Sequence, residues 1–466
     1  MTKTPVEFIG RRKEIETLRE RYASKDSAFL PIYGRRRVGK SELILHFTKS
    51  HPTLYFVGKQ APAAQQMREF LETAARTLNE PLLAAQPADR WKTILEQVTE
   101  RWKSRQKLIL VFDEFQWTAE KSPELTSVLQ EMWDRQWQKS GRIMLILCGS
   151  YIGFMEREVL GKKSPLFGRR TGQIFLKPFG YREAASFHPS LSLSQKAMTY
   201  FVCGGVPLYL RYFHAARSVI QNIEQLLLNE HAPLYAEPDF LLREELREVE
   251  NYYAILRALA SGSLPSRQIA ELTGIGDRSL HYYLDNLVGL GYLGRQYPVT
   301  GKPAAVRHVR YALLDPLLRF WFRFVYPHEG LIAQLGPQKA MAQLIRPSLE
   351  SYFGGCFETL CRQALPLLYE RERVSAAFEV GTYWDKNVQI DVVGLRDDGW
   401  TDLGECKWGS LHSFGAVVDS LKAKAALYPN NQKNTVGLRL FVQDPPRARA
   451  SHKEVRTHSL ADLYAR

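Results

Sequence analysis

The eight residues GRRRVGKS, 34–41, limit the fold of this chain more than any other stretch. They follow an apolar run, AFLPIY (28–33), and open KSELILHF, whose spacing is helical. Strand, glycine-bounded loop and helix form the context in which G-x-x-x-x-G-K-[ST] cradles phosphate. Gly34 and Gly39 let main-chain N–H groups curl round an anion, and the helix start adds positive potential. Gly34, Val38, Gly39, Lys40 and Ser41 are therefore the expected nucleotide contacts. Lys40 is expected to reach the β- and γ-phosphates, and Ser41 to ligate Mg²⁺. The implied cofactors are ATP and Mg²⁺. Arg35, Arg36 and Arg37 read as a solvated loop, with phosphate contact as the alternative.

A phosphate loop of this kind belongs to a parallel sheet, and the first part of the chain reads that way. Short apolar runs recur at 28–33, 53–58, 107–112, 143–149 and 173–178. Between the first four lie stretches with helical periodicity, such as Leu71, Ala75 and Leu78. Apolar strands alternating with helices predict a sheet covered on both faces. LILVFDEF supplies the second half of a nucleotide site. Its strand ends in Asp113 and Glu114, which places Asp113 to hold Mg²⁺ and Glu114 to polarise an attacking water.

From about 181 to 250 the strand signal vanishes and helices are predicted. Residues 264–293, LPSRQIAELTGIGDRSLHYYLDNLVGLGYL, have the rhythm of a helix-turn-helix. Ile269 and Leu272 share one helix, Asp277 is expected to cap the next, and Leu280, Leu284 and Leu287 form a buried stripe. A hairpin with a Gly/Pro-rich tip follows, which makes a winged-helix pattern. Arg278, His281 and Tyr282 fall on the exposed part of the second helix, suited to a DNA major groove. Lys302, Arg307 and Arg310 are expected on the wing, near phosphates. The alternative is a module that packs internally.

Charge fits an anionic partner. The net formal charge is +14. Lys and Arg exceed Asp and Glu by eight over residues 1–250, by five over 251–344 and by one over 345–466. The excess sits where the phosphate loop and the helix-turn-helix lie. The longest apolar runs fall well short of the roughly 20 residues a membrane span needs. MTKTPVEF lacks the apolar segment of a signal peptide, so a cytoplasmic protein is expected. Cys148, Cys203, Cys356, Cys361 and Cys406 are scattered and read as small buried residues in a reducing compartment.

The final part begins with a long helix, PSLESYFGGCFETLCRQALPLL, followed by strands near 376–382, 388–395 and 401–407. A helix at about 412–427 and a strand at 436–442 come next. Asp391 interrupts an apolar strand, and Glu405 and Lys407 are two apart on the following one, so they share a face. A hairpin of these strands brings Asp391 beside Glu405. Two carboxylates and the Cys406 carbonyl make an oxygen-rich Mg²⁺ site, and Lys407 is placed to orient water or stabilise a phosphoryl transition state. The alternative is a cross-strand salt bridge on a sheet edge.

Several stretches together resemble the AAA+-related STAND ATPases, and especially the archaeal-type ATPase family also found in bacteria. FIGRRKEIETL (8–18) is similar to a family motif that lies against adenine, with Ile9, Gly10 and Arg11 at the matching positions. LILCGS resembles the sensor strand, which implies Ser150 near the γ-phosphate; helix capping is the alternative. SPLFGRRTGQIFLKPF (164–179) resembles a family hallmark, which implies Arg169 and Arg170 as γ-phosphate or neighbour-subunit arginines; simple pairing with surface acids is the alternative. A trans-acting arginine requires a homo-oligomer. GGVPLYL (204–210) resembles the element in which Gly205 and Pro207 shape a helical lid. This resemblance covers roughly the first 240 residues.

The terminal part resembles the PD-(D/E)xK nuclease fold and, more narrowly, a domain of unknown function often fused to such ATPases. GCFETLCRQAL is similar to that domain's first helix, which adds Glu358 to the implied metal set. YWDKNVQIDVVGL and LGECKW are similar to its two active-site strands. Gln389 stands where relatives often carry a glutamate, which removes one charge from the face it shares with Asp391.

The expected architecture is multidomain α/β. It comprises a P-loop core (1–180), a helical lid (181–250), a winged helix (251–313), a helical linker (314–344) and a restriction-endonuclease-like α/β domain (345–466). Two functions stay open. One is an ATP-hydrolysing protein acting on DNA, with Mg²⁺-dependent cleavage by the last domain. The other is a nucleotide-dependent switch or scaffold for protein or DNA partners, with an inactive nuclease-like domain.

Overall fold

The computed structural model describes residues 8–302, 309–411, 413–445 and 454–465. The chain divides into two compact units, Met1–Pro178 and Phe179–Arg466.

In the first unit, strands β1 (Ala28–Tyr33), β2 (Thr53–Val57), β3 (Leu108–Asp113), β4 (Ile143–Gly149) and β5 (Ile174–Phe175) form one sheet. Their order is β2-β3-β4-β1-β5, and every pairing is parallel. β1, β3 and β4 are buried at every position. The side-chain alternation of a strand explains why. Phe29, Leu110, Phe112, Leu145 and Leu147 enter one core, with helices Ala63–Leu78 and Trp91–Arg101. Leu30, Ile32, Ile109, Val111, Met144 and Ile146 enter the other, with helix Lys40–Thr48. Two covered faces need uninterrupted apolar runs, which is the pattern the sequence carries.

The second unit opens with helices through Val249–Leu259. Helices Ser266–Thr273 and Asp277–Gly289 follow, then an antiparallel hairpin of β6 (Leu293–Gln296) and β7 (Arg310–Leu313). Leu264 bridges Tyr311 beside this hairpin. Asp277 is the first residue of its helix, and Gly276 holds the cap position without a side-chain bond. The expected Asp277 cap is therefore absent; the carboxylate lies in the first turn, where it still favours the helix dipole.

The long helix Arg346–Arg371 leads into a five-stranded mixed sheet of order β12-β11-β10-β9-β8. Its strands are β8 (Phe378–Trp384), β9 (Gln389–Arg396), β10 (Trp400–Lys407), β11 (Thr435–Val442) and β12 (Val455–Ser459). β8, β9 and β10 are antiparallel neighbours, whereas β10, β11 and β12 run parallel. Helix Phe414–Ala426 makes the crossover that parallel pairing requires. β10 is thus the central strand, which excludes a sheet-edge setting for Glu405. Strand β12 and the helix Leu460–Tyr464 lie beyond the strand at 436–442, the last element that the sequence predicts. All five cysteines are free and buried. Among the described residues, no helix is long and apolar enough to cross a membrane.

Candidate functional site

The first unit gathers its polar residues at the carboxyl ends of its central strands, where ligands bind in open α/β sheets. The loop after β1 is shaped by close approach. A Cβ on Gly34 would lie 2.2 Å from the Leu176 carbonyl oxygen, and Gly39 has a φ of 90°. Lys40 is buried, and its ammonium donates to the carbonyls of Gly34 (2.9 Å) and Arg35 (2.8 Å). Burial lowers its pKa, while Cys148, Glu114 and Asp113 pull the other way. Val38 is fully buried behind the loop.

Asp113 ends β3 and is buried. Its Oδ1 accepts the Glu114 N–H at 3.0 Å, and its Oδ2 accepts the Tyr55 hydroxyl at 2.5 Å. Burial and then Asp113 push the Tyr55 pKa up, with a smaller opposing pull from the neighbouring Ser41. The Tyr55 phenol thus lies near both Asp113 and Ser41. The Cys148 thiol on β4 lies against Asp113 and Lys40, and burial drives its pKa well up.

Glu114 holds a left-handed backbone, φ 49°, which is uncommon for a side chain of its size. Its Oε2 accepts the Ser150 hydroxyl at 2.7 Å and also the Gln116 amide. Gln116 reaches Ser150 as well, at 3.3 Å. The strand order explains the trio: β4 lies beside β3, so the residue after β4 meets the residue after β3. Ser150 caps no helix here; Tyr151 holds that position. Tyr55, Gln116 and Cys148 were not read from the sequence. The pairing of β2 and β4 with β3 brings Tyr55 and Cys148 to Asp113, whereas Gln116 lies two residues after Glu114 on the helix that follows β3.

The segment before the first helix is pinned to this loop. Arg11 is buried, and its guanidinium donates to the carbonyls of Val38 (3.0 Å) and Lys177 (2.8 Å). Gly10 and Arg11 both have positive φ, and Ile9 and Gly10 are half-buried. Arg169 is held by Asp134 through two bonds of 2.8 and 2.7 Å, and by the Pro165 and Phe167 carbonyls. Asp134 raises its pKa further. Arg169 is thus committed within its own unit, the pairing that stood as its alternative. Arg170 is exposed.

In the second unit, a Cβ on Gly205 would lie 1.8 Å from the Phe179 carbonyl oxygen. Pro207 starts helix Pro207–Tyr212 and is buried. Arg278, His281 and Tyr282 are exposed on helix Asp277–Gly289. The hairpin differs from expectation. The Arg310 guanidinium stacks 4.7 Å from the Trp384 ring centroid, and burial lowers its pKa. The Val299 N–H donates to the Thr382 carbonyl at 3.0 Å, and the Tyr428 hydroxyl donates to the Val299 carbonyl at 2.9 Å. This hairpin is packed on the terminal sheet, so Arg310 is not offered to phosphate. Lys302 is exposed, and Arg307 lies outside the described residues.

The terminal carboxylates come together as the strands predict. β9 and β10 pair through Val392↔Gly404, and the same register sets Asp391 opposite Glu405. Between Gly381↔Val393 and Tyr383↔Ile390 the register slips, so Asp391 and Val392 face the single residue Thr382. Such a bulge re-aims side chains. Asp391 Oδ2 accepts the Cys406 N–H at 3.0 Å. Glu405 is only 3% exposed; its Oε1 takes the Lys407 ammonium at 2.8 Å and its Oε2 the Lys424 ammonium at 2.6 Å. Arg362 donates to the Asp391 carbonyl at 2.7 Å and lies 3.8 Å from Glu358. Burial and then Asp391 push the Glu358 pKa to about 7, and burial and Glu405 raise that of Asp391.

As arranged, this cluster does not fit a divalent ion. Among the described residues, no three His, Cys, Asp or Glu groups stand where they would hold a metal. The expected set of Glu358, Asp391, Glu405 and Cys406 is assembled, but its bonded oxygens face ammonium and N–H donors. The contribution of Cys406 is its N–H. Gln389 is exposed at the start of β9.

Residues 8–213 match the family model of the ATPase domain predominantly from Archaea. These residues therefore form an archaeal-type ATPase domain. Residues 321–417 match a second family model, that of archaeal and bacterial proteins of unknown function. An uncharacterized protein of Methanocaldococcus jannaschii is 27% identical over 413 residues, covering 87% of this chain and 88% of that protein. The Walker-type ATPase of Pyrococcus abyssi superposes with a TM-score of 0.50 at 17% identity, over 68% of this chain and 96% of that one. At that identity the likeness is one of fold.

Proposed function

We propose that this ATPase is a nucleotide-driven protein that acts on nucleic acid through its second unit. The observation that carries the ATP reading is the convergence of Lys40, Asp113, Glu114 and Ser150 at adjacent strand ends. The oxygen groups of Ser41 and Asp113, both near Tyr55, suit Mg²⁺ and would hold it. When bound, that ion neutralises charge on the β- and γ-phosphates. Lys40 binds the same phosphates once its ammonium leaves the loop carbonyls. Glu114 keeps Oε2 on Ser150 and Gln116, which leaves Oε1 to take a proton from water. Arg11 holds the segment of Ile9 and Gly10 against the loop. Arg170, exposed, is the better arginine for a neighbouring subunit.

Nucleic acid is supported by the basic excess and by Arg278, His281 and Tyr282 on one exposed helix face, in a winged-helix arrangement. The terminal order of helix, three antiparallel strands, crossover helix and parallel strand supports a nuclease-like fold, with Asp391, Glu405 and Lys407 in its active-site positions. A second reading, a switch whose nuclease-like domain binds without cutting, is favoured by the two lysines that fill Glu405. One comparison separates them. The full chain is incubated with several DNA forms and Mg²⁺ or Mn²⁺, with and without ATP, beside Asp391→Ala and Lys40→Ala. Cleavage lost in Asp391→Ala supports the nuclease; intact ATP turnover with no cleavage of any form sinks it. Unchanged hydrolysis in Lys40→Ala would overturn the ATP site.

A further inference from the structure

The terminal cluster is self-neutralised. Glu358, Asp391 and Glu405 supply three carboxylates, and Arg362, Lys407 and Lys424 supply three cations within electrostatic reach. Lys424 differs from the other two. It comes from the crossover helix Phe414–Ala426 and takes the one Glu405 oxygen that Lys407 leaves. A divalent ion bridging the two strands needs free oxygens on both Asp391 and Glu405. Lys424 stands in the way of that by holding Glu405 Oε2. Its side chain is 30% exposed, so water can solvate a released ammonium. Its helix does not depend on it, because Val418 and Leu421 are buried against Leu440, Val442 and Val455.

We propose that Lys424 is the resident cation of this cluster, and that a divalent metal enters only when its ammonium leaves Glu405. This rests on the nuclease-like reading of the domain, but it concerns metal access rather than cleavage. The structure is then the closed, metal-excluding form. Whatever draws Lys424 away, such as a phosphate group brought to the site, would open it.

The test uses the full chain, stripped of metal and free of nucleotide, titrated with Mn²⁺ while free Mn²⁺ is read by electron paramagnetic resonance. Lys424→Met keeps the aliphatic stem and removes the charge. It is expected to bind Mn²⁺ at least about tenfold more tightly than wild type, since one buried-facing oxygen is released. Glu405→Gln in that background is expected to abolish the gain. Lys422→Met, on the same helix but paired with Glu454, is expected to change nothing. Equal affinity of wild type and Lys424→Met would overturn the proposal, as would a gain that survives Glu405→Gln. Should Lys424→Met fail to fold, Lys424→Gln carries the same expectation. Wild-type cleavage lost in Asp391→Ala, with metal affinity unmoved by Lys424→Met, would remove this gate and leave the nuclease reading standing.

Discussion

Glu114→Gln is the sharpest probe of the ATP site, because the structure predicts what it keeps and what it loses. Glu114 uses one oxygen, Oε2, for both of its side-chain bonds, from Ser150 and Gln116. A glutamine can put its carbonyl oxygen in that place and satisfy the same two donors. Its NH₂ then replaces Oε1, the atom assigned to take a proton from water. The left-handed backbone at this position is held by the Asp113 Oδ1 bond to the Glu114 N–H, which the substitution leaves intact. The fold and nucleotide affinity should therefore survive, with the midpoint of thermal unfolding and the Kd for a fluorescent ATP analogue near wild type. General base assistance contributes about 10²–10⁴-fold. At 1.36 kcal/mol per tenfold, that is ~3–5 kcal/mol of barrier. Single-turnover hydrolysis of ATP should slow by that factor. A variant that keeps more than about a tenth of the wild-type rate would refute the role given to Glu114. A variant that no longer binds nucleotide would instead show that the Ser150–Glu114–Gln116 trio builds the pocket.

The other predictions concern the second unit. Arg310→Met should lower stability by about 0.5–2 kcal/mol through the lost Trp384 stack, with DNA affinity unchanged. Arg278→Ala should weaken DNA binding and reduce the slope of log affinity against log salt by about 1, measured by fluorescence anisotropy. His458 is held neutral, its pKa lowered to about 4 by burial and then by Arg439. The unfolded chain takes up a proton near the ordinary value of 6.5 and the native chain does not. The stability this group contributes is thus present above that value and lost as pH falls toward 4, by at most about 3 kcal/mol. Glu358, at about 7, tilts the profile the other way, so the difference between wild type and His458→Gln in urea melts isolates the effect. A difference independent of pH would refute it.

Arg439 illustrates what a local reading misses. It sits in an apolar strand, GLRLFV, and is 1% exposed. Its guanidinium bonds Asp402 at 2.8 Å and Glu372 at 2.6 and 2.8 Å, and Asp402 also takes the Tyr369 hydroxyl at 2.6 Å. Its partners lie 37 and 67 positions away. No periodicity marks such a residue, since a buried charge is viable only when distant partners arrive.

The sequence by itself determined the local chemistry. GRRRVGKS after an apolar run dictates a strand, a phosphate loop and a helix, because glycine and lysine at that spacing serve main-chain geometry within one turn. The runs at 28–33, 107–112 and 143–149 dictated buried parallel strands, because both faces had to be apolar. Asp391, Glu405 and Lys407 were readable from strand alternation. The tertiary structure alone decided how those groups are used. It brought Tyr55 and Cys148 to Asp113, and Ser150 to Glu114, through strand order. It committed Arg169 to Asp134 and Arg310 to Trp384, and set Lys424 of the crossover helix on Glu405. Each of these depends on which elements become neighbours. That is set by the burial of whole faces, and the spacing within a single segment does not encode it.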